Sequence, residues 1–375
     1  MNLITARILD TLLAPIIWVL FFVKQIKQKK RIKTKSPKKI LIIRLFGFGN
    51  IILISPLIKA LKKKFPKSNF FLLTVDRNKG IPELFKYDKI TYIKTKNLFS
   101  TVFSIMKFIL SNRRKFDLVI DLEPFARSSA ILTFMLSPKE SWGIMVSSHN
   151  RNLYDKTIEY FPNEHISQFY LRFTHPNPKK PKLPHVSLTK GAIKVVEELG
   201  LPKKFVILHP GTSENVPQRR WPPERYAVVG DWLIENCGFS IVLTGSKAEK
   251  ELCDSIIKHA KHKKDFINLA GKITLKYLPA IVKMAKLVIC PDTGIAHIAA
   301  LMETPLIAIY GPNSPKLYGP LMKNNKGVVV YKNLPCSPCM TNLNKKKGGC
   351  NNPVCILNIT AVEIISKIKQ IIKNA

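Results

Sequence analysis

A chain of 375 residues is long for one compact core and natural for two, and a hydrophobic share of 46% excludes disorder as a global description. Lys and Arg total 61 against 24 Asp and Glu, so a net charge of +37 selects anionic partners: lipid headgroups, nucleic acid, phosphorylated sugars or lipids. Abundant surface lysine is the plainer cause, and seven cysteines in so large a chain do not make the disulfide scaffold of a small secreted domain.

The first segment, residues 1–38, reads as a membrane-associating anchor. Residues 8–23 are "ILDTLLAPIIWVLFFV", with no charge from Leu12 to Val23, which is shorter than the ~20 residues that cross a bilayer. The next stretch, "KQIKQKKRIKTKSPKK" (24–39), is polybasic. A signal peptide has the reverse order, with charge before the apolar run and a cleavage site after it. The expected arrangement is a shallow apolar anchor with a basic collar that grips an anionic membrane surface. The alternative is a terminal helix packed on the body of the protein. If the run spans at all, the positive-inside rule leaves residues 40–375 in the cytoplasm.

After Pro37, strand-like apolar runs alternate with helical stretches: 40–45, 70–75, 90–95 and 118–123, with a helix expected over 51–65. A Pro- and Lys-rich passage, 174–187, reads as linker. Runs resume at 205–210, 240–245, 266–271, 287–292, 306–311 and 327–332. Short continuous apolar strands spaced by helices predict parallel sheets buried on both faces. The expected fold class is therefore α/β, with two Rossmann-like doubly wound domains facing a cleft. Their expected spans are 39–185 and 186–355, followed by a C-terminal helix over 356–375.

In open parallel sheets, ligands sit beyond the carboxyl ends of the strands. Polar residues collect there in the second half: His209 to Thr212, Thr244 to Ser246, Asp292 to His297, and Gly311 to Asn313. At "PDTGIAH" a buried strand becomes a helix. Its first amides carry partial positive charge, Gly294 lets a phosphate approach closely, Thr293 adds a hydroxyl, and His297 faces the same pole. The plainer reading is that Asp292 or Thr293 only caps the helix. Arg219 and Arg220 supply forks for phosphate oxygens. Glu249, on the first turn after Thr244 and Gly245, suits a ribose diol or is a solvated carboxylate near a helix start.

The order of "RLFGFGNIILISPLIKALKKKFP", "FDLVIDLEPFARSSA", "HPGT…RRWPPERY", "LTGSKAEKE", "NLAGKITL" and "PDTGIAHIAALMETPLIAIYGPNSP" resembles glycosyltransferase family 9, the lipopolysaccharide heptosyltransferases and their relatives, over roughly residues 39–372. The resemblance implies a GT-B fold and inverting, metal-independent transfer. A nucleotide-diphospho-sugar donor would be held by the C-terminal half. The acceptor would be a lipid-linked saccharide such as lipopolysaccharide core, at the cytoplasmic face of the inner membrane. By the same resemblance Thr293 and Gly294 bind diphosphate, and Asp292 and His297 shape the sugar-phosphate pocket. Arg219 stands where relatives often have lysine, and Glu249 matches the ribose-binding carboxylate. His209, Gly211, Thr212, Thr244 and Gly245 complete the expected donor pocket.

At the other wall the family has Gly-Asp, with the aspartate as general base; this chain has Gly49-Asn50. An amide cannot take a proton. Asn50 then orients the acceptor while Asp121 or Glu123 takes the proton, or the leaving diphosphate assists, or the chain is a weakly active or non-catalytic sugar-nucleotide binder. A dinucleotide oxidoreductase is disfavoured because the third glycine of its fingerprint falls at Ile52. A nucleic-acid partner is not expected, since no aromatic-interleaved basic platform is present. Finally, Cys336, Cys339, Cys350 and Cys355 form a C-x2-C and C-x4-C set that suits a structural zinc, or else a reduced packed loop. No cofactor is expected for catalysis.

Overall fold

Strands rich in Ile, Leu and Val that are continuous rather than alternating must be covered on both sides, and each half of the chain covers them with helices. The computed structural model describes residues 13–26, 34–146, 153–161, 163–212, 216–323, 326–340 and 350–373. The chain divides into two compact units, Met1–Pro181 and Lys182–Ala375. The division falls inside the Pro- and Lys-rich passage, where residues 175–189 form neither helix nor strand.

In the first unit the strands are β1 (Lys39–Ile43), β2 (Asn69–Val75), β3 (Lys89–Ile93), β4 (Leu118–Asp121), β5 (Glu140–Met145) and β6 (Lys156–Glu159). They pair in parallel in the order β3-β2-β1-β4-β5-β6. The helices are α1 (Ala14–Ile26), α2 (Phe48–Lys64), α3 (Leu98–Asn112), α4 (Arg127–Leu136) and α5 (Ile166–Leu171). Leu41, Ile43, Leu73 and Val119 point to the sheet face covered by Phe108 and Ile109 of α3 and Leu132 and Leu136 of α4. A reciprocal cap starts α3: Asn97 Oδ1 accepts from Ser100 N at 2.8 Å, and Ser100 Oγ accepts from Asn97 N at 3.1 Å.

β5 and β6 are absent from the apolar runs read in the sequence. β5 opens on Glu140-Ser141, and β6, "KTIE", is a short edge strand with a charge at each end, so neither reads as a buried strand.

Helix α1 is 13 residues long, and among the described residues no helix is long and apolar enough to cross a membrane. One face of α1 packs on the body: Ile17 is buried with Ala130, Leu153 and Tyr154, and Leu20 and Phe21 lie against that group. Lys24 Nζ donates to the Tyr154 carbonyl at 2.6 Å and stands 3.7 Å from Asp155. Ile16, Trp18 and Val19 are exposed on the other side. Residues 8–12 of the expected anchor and 27–33 of its basic collar lie outside the described residues.

In the second unit β7 (Phe205–Leu208), β8 (Ser240–Leu243), β9 (Phe266–Asn268), β10 (Leu287–Pro291), β11 (Leu306–Tyr310) and β12 (Gly327–Tyr331) pair in parallel in the order β12-β11-β10-β7-β8-β9. Its helices are α6 (Lys190–Glu197), α7 (Pro223–Cys237), α8 (Lys250–His259), α9 (Leu278–Met284), α10 (Gly294–Met302), α11 (Pro315–Tyr318), α12 (Val354–Leu357) and α13 (Ala361–Lys373). The last helix is not an appendage. Ile359, Ile364 and Ile368 join the core of this unit, and Trp221 Nε1 donates to the Ile359 carbonyl at 2.8 Å. Each sheet thus reverses its winding once, between β1 and β4 and between β7 and β10, and a crevice opens at such a point beyond the strand ends.

Candidate active site

In the second unit the chain leaves β7 at His209 and β10 at Asp292, on the two strands that flank the reversal; His209 N donates to the Ile289 carbonyl at 3.0 Å. The Asp292 carboxylate is buried. Its Oδ2 accepts from Arg219 Nη1 at 3.0 Å and from Asn313 Nδ2 at 2.7 Å, and Arg219 Nη1 also reaches the Asp292 carbonyl at 3.0 Å. Three strand-end loops are therefore tied together at one carboxylate. Burial, with the Asp292 charge as the next contribution, pushes the neighbouring Tyr310 hydroxyl well above its usual range.

This network answers the capping question. Asp292 is turned toward Arg219 and Asn313, and Thr293, the N-cap residue of α10, makes no side-chain cap hydrogen bond. Thr293 and Gly294 are partly exposed, while His297, one turn further, is buried. The amide pole of the nine-residue helix α10 thus begins beside a cationic side chain, and its N-cap residue makes no side-chain cap hydrogen bond. Arg219 and Arg220 also carry buried Nε atoms that meet no acceptor among the described residues. Residues 213–215 of the adjoining loop are not among them.

The neighbouring strand end forms a second contact set. His209 Nδ1 lies 3.0 Å from Thr244 Oγ1, and burial lowers the imidazole pKa, so the ring is held neutral. Ser246 and Glu249 form a capping box in which Glu249 Oε2 accepts from Ser246 N at 2.7 Å. The Glu249 carboxylate lies over Gly211, where a Cβ would come within 2.1 Å of Oε1, so position 211 must be glycine for Glu249 to sit there. Thr212 Oγ1 donates to the Val216 carbonyl at 3.3 Å, and Gly245 is partly exposed at the end of β8. Trp221 is fully buried against Tyr226 and is a packing residue.

In the first unit the two expected carboxylates meet partners that the sequence did not show, while Asn50 stands partly exposed. Glu123 Oε1 accepts from Leu45 N at 2.7 Å and Phe46 N at 3.0 Å, and Oε2 pairs with Arg44 Nη1 at 3.2 Å. Arg44 also donates to the Leu122 carbonyl and lies under the Tyr170 ring, 5.8 Å from its centroid. Asp121 is fully buried. Its Oδ1 accepts from Glu123 N at 3.0 Å and Oδ2 from the Tyr154 hydroxyl at 2.7 Å; burial raises its pKa to about 7. Both carboxylates are thus engaged within the first unit, Glu123 with Arg44 and two backbone amides and Asp121 with the Tyr154 hydroxyl and the Glu123 amide. Asn50 is partly exposed on the first turn of α2, and its Nδ2 donates to the Phe46 carbonyl at 2.9 Å, which leaves the amide oxygen as an acceptor. Sequence reasoning missed Arg44, whose charge at the end of "KILII" was the available signal, and gave Asn313 no role of its own.

The cysteine set does not form the expected zinc site. Among the described residues no group of three or more His, Cys, Asp or Glu can hold a metal ion. Cys355 belongs to the core and packs where a Cβ on Gly311 would come within 3.2 Å of its sulfur; Cys350 Sγ donates to the Asn352 carbonyl at 3.0 Å. Burial raises the pKa of Cys339 and Cys355, favouring thiol over the thiolate a metal requires. The lysines at 345–347, expected to offset thiolate charge, lie outside the described residues.

A family profile for glycosyltransferase family 9 (heptosyltransferase) matches residues 105–348. The chain belongs to glycosyltransferase family 9. It is 28% identical over 306 residues to lipooligosaccharide heptosyltransferase 2 of Haemophilus ducreyi, covering 76% of this chain and 86% of that protein. The solved structure of E. coli ADP-heptose LPS heptosyltransferase II superposes with a TM-score of 0.75 at 19% identity, covering 90% of this chain and 99% of that one. E. coli heptosyltransferase WaaC with ADP-2-deoxy-2-fluoro heptose superposes with a TM-score of 0.65 at 17% identity, covering 90% and 100%. The two parallel six-stranded sheets with flanking helices are thus the GT-B-like fold of this glycosyltransferase, and family membership makes it an enzyme rather than a non-catalytic binder.

Proposed function

We propose that this family 9 glycosyltransferase transfers a heptose from an ADP-linked donor to a lipid-linked saccharide of the lipopolysaccharide core, with inversion and without a catalytic metal, at the cytoplasmic face of the inner membrane. The observation that carries the donor side is the amide pole of α10, which Thr293 does not cap with its side chain, beside the Asp292–Arg219–Asn313 network. Helix-terminal amides and arginine forks are the groups that hold a diphosphate and stabilise its charge as it leaves. The names of the relatives, which act in lipopolysaccharide and lipooligosaccharide synthesis, and the ADP-sugar bound to one of them, support heptose, adenine and the acceptor class.

In the proposed step the acceptor oxygen attacks the anomeric carbon from the face opposite the diphosphate. The C–O bond to the diphosphate breaks, and the leaving group departs with its electron pair toward α10 and Arg219. One displacement inverts the centre. Asn50 accepts a hydrogen bond from the acceptor hydroxyl and orients it. With Asp121 and Glu123 engaged inside the first unit, the hydroxyl proton passes late in the step to solvent on the acceptor side. The reading assigns the ribose of the nucleotide to the carboxylate of Glu249, held by Ser246 N over Gly211.

The test is ADP release by the purified full-length protein given ADP-heptose and a heptose-deficient core lipid, with ADP-glucose and GDP-linked sugars as controls. Acceptor-dependent ADP release with heptose supports the proposal. Faster release from another sugar nucleotide overturns the donor assignment, and binding without release overturns the catalytic one.

A further inference from the structure

We infer that the outer face of α3 is a docking surface for an anionic lipid bilayer, separate from the N-terminal anchor. This helix has 15 residues and a single charge, Lys107. Its inner face, Thr101, Phe108 and Ile109, is buried against the sheet and α4. Its outer face is no more polar: Leu98, Phe99, Val102, Phe103, Met106 and Leu110 all lie exposed, Phe99 at 80%, Phe103 at 62% and Leu110 at 73%. Phe99 and Phe103, one turn apart, stack with ring centroids 6.4 Å apart and planes at 12°. A contiguous stripe of exposed apolar side chains along a surface helix marks a site of association.

The charges around it select the occupant. Between Asp88 and Asp117 the chain has no acidic residue and seven basic ones, Lys89, Lys94, Lys96, Lys107, Arg113, Arg114 and Lys115. Lys94 and Lys96 lead into the helix, and the exposed Arg113, Arg114 and Lys115 follow it. Two copies of this chain meeting through α3 would bring two such basic frames together, each on a molecule of net charge +37. An anionic bilayer instead pairs every one of those cations with a headgroup while the aromatic side chains enter the acyl boundary. α3 and α1 both pack against α4, so the exposed Ile16 and Val19 of α1 belong to the same helical layer. The lipid-binding face is thus a layer of unit 1, not only its N-terminal tail.

This inference deepens the proposed use of a lipid-linked acceptor, and it is tested without turnover so that the two can fail separately. Full-length protein is sedimented with phosphatidylcholine vesicles containing or lacking phosphatidylglycerol. It is compared with the variant Phe99→Ser/Phe103→Ser/Leu110→Ser and with Arg113→Gln/Arg114→Gln/Lys115→Gln. The parent is expected to bind the anionic vesicles. The apolar variant should lose about tenfold or more of that affinity with an unchanged melting temperature, and the basic variant should lose at least about tenfold while its residual binding becomes less salt-dependent. In the variant Phe103→Trp, which keeps an aromatic side chain, the indole emission should shift to the blue on adding anionic vesicles. Parent-like binding by the apolar variant, or no emission shift in Phe103→Trp with vesicles bound, overturns the inference. So does a dimer of the parent that the apolar variant dissolves, because α3 would then be covered by a second copy.

Discussion

Arg44 and Glu123 meet at 3.2 Å across the reversal of the first sheet, one just past β1 and the other just past β4, and both side chains are nearly excluded from solvent. The pair occupies the position where an open parallel sheet offers its crevice. It is stapled further by two backbone amides onto Glu123 and by the Tyr170 ring over Arg44. The carboxylate that the sequence offers as a base is therefore a strut for the loop that presents Asn50.

Removing one charge of this pair strands the other. Glu123→Gln is expected to destabilise the protein by about 3 kcal/mol or more, the lower part of the cost of breaking a buried ion pair. Arg44→Met combined with Glu123→Leu should recover much of that loss. Urea melts of the parent and both variants decide it. A Glu123→Gln protein as stable as its parent but without turnover would make Glu123 the base after all.

Asn50 presents an amide where the family resemblance of the sequence leads one to expect a carboxylate. Asn50→Asp is expected to raise kcat, by at most ~10²-fold, because it supplies a proton acceptor on the first turn of α2, where negative charge is favoured. The gain should disappear as pH falls and the new carboxyl protonates. A pH–rate profile of parent and variant reads both.

Arg219 holds Asp292 beside the start of α10, where the diphosphate is proposed to sit. Arg219→Ala should lower kcat/KM for the donor by ~10²–10³-fold, the scale of removing one preorganised donor to developing charge. Arg219→Lys should retain more, since the charge remains while the fork is lost. Donor affinity measured by calorimetry alongside kcat separates ground-state binding from stabilisation of the departing group.

Asp121 gives a pH dependence with a fixed sign. Its folded pKa of about 7 lies above the usual carboxyl value of 3.8, because burial disfavours the anion. The native state therefore binds the proton more tightly than the unfolded chain. The contribution is fully present below pH 3.8 and is lost as pH rises to about 7. The loss is at most about 4 kcal/mol, three units at about 1.4 kcal/mol each. The difference in unfolding free energy between the parent and Asp121→Asn should fall across that window. A flat difference shows that the carboxyl titrates normally.

Ten of the twelve strands were legible because a parallel strand buried on both faces reads as an uninterrupted apolar run. β5 and β6 were not, because pairing with β4 and with each other is what makes "ESWGIM" and "KTIE" strands. The strand-end positions of the residues proposed for the donor pocket were legible, but the partner each one takes was not. Nothing in "RRWPP" or "YGPNS" states that Arg219 and Asn313 converge on Asp292, since that depends on β7, β10 and β11 being neighbours. For the same reason the burial and hydrogen-bond partners of Asp121 and Glu123 could not be read from "LVIDLE". The thiol set showed the right spacing for zinc, yet packing had already claimed Cys355.

The Tyr154 contacts tie the two ends of the first unit together mechanically. Its carbonyl receives Lys24 of α1, while its hydroxyl holds Asp121, which in turn braces the backbone of Glu123. A displacement of α1, whether by a detergent or by trimming the N-terminus, is transmitted through Tyr154 to the end of β4 that carries Asp121 and Glu123. Preparations shortened past Lys24 for ease of handling would then lose more than an address label: they would loosen the machinery itself.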